Sequence, residues 1–192
     1  MQASRSVCWI PTWSATHPGV GLEHLLLRDG SADGVVLAVD DVHGPFRLAY
    51  RMTWDAQWRL HAADVVVERS GARHALRLRT DGAGRWHDGE HRALPALDGC
   101  IDIDLWPTPF TNSFPLLRAP LAVGERRTFR MAWVDGLAPS VSPRAQAYTR
   151  KAAGTYLFES LEGDGFRAEL AVDAQGLVVD YPGLFRRLEW RA

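Results

Sequence analysis

The chain lacks the parts that several common functions require. Cys8 and Cys100 are its only cysteines, so no Cys-x-x-Cys redox or zinc pair can form, and the two read as free thiols. Lys151 is the single lysine among 22 Lys and Arg residues, a bias that base composition explains more simply than selection for anion binding. The formal net charge of −1 leaves no excess of basic residues, which argues against a general binder of nucleic acid or of anionic membranes. No apolar run approaches the roughly 20 residues of a membrane-spanning helix; Gly34 to Val39 is the longest of note. Residues 1–11 hold no signal-peptide core, so a cytoplasmic location is the expectation. Also missing are a Gly-Lys-Ser/Thr phosphate loop, a Gly-x-Ser-x-Gly elbow and a Rossmann glycine set, and no cofactor is expected.

What the chain does have is apolar alternation. Hydrophobic residues make up 46% of it and tryptophan occurs eight times, which excludes a disordered chain. At 192 residues one domain is expected over 1–192, burying roughly 70% of its unfolded surface. From Pro45 to Asp55, Phe46, Leu48, Tyr50, Met52 and Trp54 fall on one face and Arg47, Ala49, Arg51 and Thr53 on the other, as strand geometry requires. Thr128 to Trp133, Phe166 to Val172 and His74 to Arg79 repeat the pattern. Turn pairs such as His43-Gly44, Ser70-Gly71, Asp81-Gly82, Asp88-Gly89 and Gln175-Gly176 separate the runs, supplying the positive φ of tight hairpins. The prediction is an all-β, antiparallel meander with few or no helices; Ser142 to Ala153 is the one place where a short helix competes with a hairpin. A meander of about twelve to fifteen strands cannot stay flat, and periodicity alone leaves barrel, sandwich and open roll as alternatives.

Residues 97–118 are the most informative stretch. They open as a strand, with Ile101, Ile103 and Leu105 alternating with Asp102 and Asp104, and then meet Pro107, Pro109 and Pro115. Prolines cannot extend a central strand or sit within a helix, so this segment reads as a stiff ligand rim or a structural corner that fixes Phe110, Thr111, Asn112 and Phe114. Asp-Gly-Cys-Ile-Asp-Ile-Asp, Thr-Pro-Phe-Thr-Asn and Pro-Leu-Leu-Arg in this stretch resemble the signature of the bacterial family of putative glycolipid-binding proteins. Trp54 to Trp58, Gln146 to Thr149 and Gly176 to Phe185 agree with it in order. The resemblance implies an open β-roll, a partly open barrel wrapped round an apolar interior, and a glycolipid or its precursor as ligand.

Each candidate residue has a structural reading beside the functional one. Phe46, Tyr50, Trp54, Phe129, Trp133 and Phe166 line either a pocket for an apolar chain or an ordinary core. Asp102 and Asp104, roughly 6.5 to 7 Å apart along a strand, suit sugar hydroxyls, an acid–base pair or a solvated face. Thr111 and Asn112 either grip a polar head or satisfy loop carbonyls, and Arg118 meets either an anion or one of the two aspartates. Gln146 and Tyr148 share a strand face and are pocket or seam residues. His87 and His91 flank a turn without a third ligand, so no metal site is predicted.

The leading expectation is a non-catalytic module that binds a small amphiphile. Its candidate contacts are Trp54, Trp58, Asp102, Asp104, Phe110, Thr111, Asn112, Arg118, Gln146 and Tyr148. The alternatives are an enzyme on sugars or lipids with Asp102 and Asp104 as acid and base, and a protein-interaction module that uses the proline–aromatic rim.

Overall fold

The computed structural model describes residues 4–163 and 165–189. Among the described residues, fourteen strands form one sheet that is not closed. They are β1 (Arg5–Pro11), β2 (Gly21–Arg28), β3 (Ser31–Asp40), β4 (Gly44–Trp54), β5 (Leu60–Arg69), β6 (Ala72–Thr80) and β7 (Trp86–Asp88), followed by β8 (Asp102–Trp106), β9 (Arg126–Asp135), β10 (Ser140–Ala152), β11 (Thr155–Ser160), β12 (Arg167–Val172), β13 (Val178–Tyr181) and β14 (Phe185–Arg187). The spatial order runs from β7 down to β1, crosses to β14 and descends to β8. The chain is therefore a meander whose two ends, β1 and β14, pair in the middle, while β7 and β8 are the free edges.

The alternation in β4 holds as predicted. Phe46, Leu48, Tyr50, Met52 and Trp54 are all buried, and Arg47, Arg51 and Thr53 are exposed. Ser142 to Ala153 contains no helix: Ser140–Ala152 is a long strand that pairs β9 on one side and β11 on the other. Isolated hydrogen bonds, not a ladder, link the segments beside the two edges. Trp86 Nε1 donates to the Cys100 carbonyl at 2.6 Å, and the Gly99 amide donates to the Gly84 carbonyl at 3.0 Å.

One pair departs from the antiparallel pattern. β8 runs parallel to β9, with Asp104 opposite Trp133 and Trp106 opposite Asp135. A parallel neighbour needs a crossover that carries the chain back to the same end of the sheet. Residues 107–125 are that crossover, and its first half, residues 107–116, runs through the interior. A 3-10 turn at Phe110–Asn112 leads into α1 (Ser113–Arg118), and Phe110, Thr111, Ser113 and Phe114 are inaccessible to solvent. The proline-rich segment is thus a plug in the roll, not a rim around it. Pro115 lies inside α1 against expectation, but at its third position, where the amide it lacks would have had no helical acceptor.

The plug packs on aromatic rings from β4. Tyr50 stacks on Phe110 with centroids 6.3 Å apart, and Trp54 meets Phe114 edge-on at 5.4 Å. Gly34 makes room for this arrangement, because a Cβ there would lie 2.1 Å from Tyr50 Cζ. Four of the six aromatic candidates, Phe46, Tyr50, Trp54 and Phe129, are consequently packed core.

Candidate functional site

The open space lies on the other side of the plug, over β8 to β11 and the β13–β14 hairpin. A cavity of about 290 Å³ is lined by Asp104, Leu105, Trp106, Thr108, Asn112, Trp133, Arg144, Gln146, Phe158, Ser160, Phe166, Tyr181, Leu184 and Phe185. Its walls are aromatic. Trp13 buttresses them, its ring 5.0 Å from Trp106 and 5.1 Å from Phe185.

Polar groups converge at its floor. Thr111 Oγ1 donates to Asp104 Oδ1 at 3.3 Å and accepts the Leu105 amide at 3.1 Å. Gln146 donates its side-chain amide to Asp104 Oδ2 in a short bond. Tyr148 donates to Asn112 Oδ1 at 2.8 Å, and Asn112 Nδ2 donates to the Pro109 carbonyl at 3.2 Å. Burial pushes the Asp104 carboxyl up, while the bonds from Gln146 and Thr111 and the nearby Arg144 charge pull it back. Gln146 is only 4% exposed, yet its Oε1 atom is buried with no hydrogen-bond partner. A buried acceptor left unpaired is disfavoured by about 1–3 kcal/mol, so it marks a place where a donor belongs.

The other candidate residues lie elsewhere. Arg118 binds Asp102 through two bonds, Nε to Oδ1 at 2.7 Å and Nη2 to Oδ2 at 2.6 Å. Asp102 is 1% exposed and does not line the cavity. Burial raises its carboxyl and the guanidinium opposes that rise. Trp54 and Trp58 stack at 4.9 Å beside a separate cleft of about 570 Å³ that also includes Arg5, Asp55 and Gln175. The polar groups of that larger cleft are already used: Arg5 binds Asp173 and Gln175, and Asp55 holds its own turn through Gln57 and Arg59. The smaller cavity is the better site because one of its buried polar atoms, Gln146 Oε1, is left without a partner. Among the described residues no group of three His, Cys, Asp or Glu side chains could hold a metal ion. No helix among them is long and apolar enough to cross a membrane.

One charged group on the cavity wall, Arg144, and one buried behind it, Glu23, escaped the sequence reading. Arg144 lies on the Gln146–Tyr148 face of β10 and extends its polar row by one step. Glu23 is fully buried on β2, where it accepts from Tyr50 Oη at 2.5 Å and from Thr108 Oγ1 at 2.6 Å. Burial raises its carboxyl to about 8, against the pull of those two bonds. The signal for Glu23 was its place two residues before Leu25 on an otherwise apolar strand face.

A family model described as "Putative glycolipid-binding" matches residues 11–187. The chain belongs to that family. It is also similar to a crystal structure of a DUF1089 family protein from Pseudomonas aeruginosa at 48% identity, with a TM-score of 0.86 over 90% of this chain and 94% of that one. No curated protein matches it significantly. The four segments that carry the resemblance to the glycolipid-binding family meet in space around the plug. Trp54 and Trp58 pack on Phe114, and Gln146 and Tyr148 bond Asp104 and Asn112. Ser113 donates to the Gly176 carbonyl at 2.8 Å, and Tyr181, Leu184 and Phe185 wall the cavity.

Proposed function

We propose that this protein binds an amphiphile without transforming it and that the cavity over Asp104 and Gln146 holds the sugar of a glycolipid-like head. The observation that carries this reading is the unpartnered Gln146 Oε1, buried beside a carboxylate and enclosed by aromatic rings. Sugar hydroxyls supply donors to two such acceptors, and the C–H face of a pyranose ring stacks on indole and phenyl walls. A volume of about 290 Å³ suits one ring-sized group, so the apolar tail lies outside it, along the mouth where Phe166 is 36% exposed. The tail does not run through the interior, which Tyr50, Trp54, Phe110 and Phe114 fill.

Binding is favoured over acid–base catalysis by the two aspartates. Arg118 occupies both oxygens of Asp102, and Asp102 is absent from the cavity wall, so the pair does not face a shared substrate. Native mass spectrometry of freshly purified protein, with organic extraction of what co-purifies, tests the proposal. The expected result is an adduct that extracts as a sugar-bearing lipid and is lost in Gln146→Met. A clean apo mass that does not shift when decyl β-maltoside is added contradicts it.

A further inference from the structure

The polar row on β10 ends in a cation whose hydrogen-bond donors are unused among the described residues. Arg144 lies half-buried, its Cζ 4.3 Å from the centroid of the Trp133 ring, and both residues line the cavity. One flat side of the guanidinium is taken up by the indole. Among the described residues its N–H donors have no hydrogen-bond or ion-pair partner. Asp104 is near enough to feel its charge, but no Arg144 nitrogen comes within the 4.0 Å of an ion pair. Among the described residues, Asp104 and Arg144 are the only charged side chains on the cavity wall. A guanidinium stacked on an aromatic ring keeps its edge free, and that edge matches two oxygens of a phosphate or carboxylate better than it matches hydroxyl groups.

Position along the strand sets the order of groups in a ligand. Tyr148 and Gln146 are buried and Arg144, one step further along the same face, is half-buried, so the cavity opens toward Arg144. A ring seated on Asp104 and Gln146 therefore has its outward bond beside Arg144. We propose, resting on the sugar-binding reading above, that the ligand is anionic: a phosphate ester joins the ring to whatever follows it, and Arg144 is the specificity-determining residue that accepts the phosphate. The phosphoryl oxygens lie on the Arg144 edge turned away from Asp104, which keeps the two like charges apart. Free sugar phosphates and phosphodiester-linked sugar lipids share this chemistry.

Calorimetric titration of the full chain with matched probes tests the proposal: octyl β-glucoside, the octyl diester of glucose 1-phosphate, and glucose 1-phosphate itself. The octyl diester is expected to bind at least about tenfold tighter than octyl β-glucoside, the margin expected of a charge-assisted pair. Arg144→Gln should remove that margin, so that the variant binds the octyl diester no tighter than it binds octyl β-glucoside. Arg144→Lys, which keeps the charge and loses the fork, should retain only part of it, and added salt should weaken the phosphorylated probe alone. Equal binding of the two octyl probes to the wild type overturns the inference and leaves the sugar-binding reading intact. So does an equal loss of both in Arg144→Gln. Failure of both octyl probes to bind the wild type overturns the reading beneath it as well. If glucose 1-phosphate matches the octyl diester, the source is a soluble sugar phosphate; if it is much weaker, the source is a lipid.

Discussion

Arg118 reaches back from the last turn of α1 to grip Asp102 on β8, with bonds of 2.7 and 2.6 Å to its two oxygens. The pair ties the end of the plug to the strand that starts it. Both groups are largely withdrawn from water, with the Asp102 side chain 1% and the Arg118 side chain 19% exposed. Removing one partner strands the other charge, which destabilises proteins by about 3–5 kcal/mol. Arg118→Met is therefore expected to lower the unfolding free energy, read from urea denaturation, by that amount, and adding Asp102→Leu should recover part of the loss. Additive losses in the double variant would show that the pair is not the tie.

Asn112 lines the cavity, but its amide is already engaged, accepting from Tyr148 and donating to the Pro109 carbonyl. Its first duty is to hold the 3-10 turn. Asn112→Ala is expected to destabilise by about 1–3 kcal/mol, which lowers the melting temperature by roughly 2–4 °C per kcal/mol in a chain of this size. An unchanged melting temperature with weakened ligand binding would reverse that assignment.

Glu23 makes the fold sensitive to alkali. Its carboxyl titrates near 4.5 in a free chain and near 8 when buried beneath Tyr50 and Thr108. Between those values the folded state holds a proton that the unfolded state has released, so this group's contribution falls as pH rises. The slope is up to about 1.4 kcal/mol per pH unit, levelling off above 8. Glu23→Gln keeps an acceptor for Tyr50 and Thr108 and removes the proton. Its stability relative to the wild type should climb from pH 5 to pH 8, read from urea midpoints; parallel curves across that range would contradict the buried, protonated carboxyl.

Much of the fold was legible because period-two burial is a local signal. The β4 alternation and the turn pairs needed only neighbouring residues to be read. The parallel pairing of β8 with β9 was not, since it depends on which end of the sheet the chain returns to after Arg118. That single pairing turns the expected rim into a buried plug and moves Phe110 and Thr111 from ligand contacts to packing. Asp104, Asn112 and Gln146 were named from sequence and do border the cavity. Arg144 was missed because a lone arginine on a strand reads as surface; only the Trp133 ring beneath it and the open cavity beside it give it a role. Glu23 was missed for the opposite reason: nothing in the sequence near β2 announces the Tyr50 and Thr108 hydroxyls that come from 27 and 85 residues away.

The most direct test of the central claim is titration of octyl β-glucoside, below its micelle concentration, into the wild type and into Gln146→Met. Methionine fills nearly the same volume and removes both the donor to Asp104 and the orphaned oxygen. Binding to the wild type with at least about a tenfold loss in the variant, at a melting temperature changed by only a few degrees, is the predicted result. Equal affinity in the two proteins would mean that the cavity over Asp104 and Gln146 is not where the sugar binds.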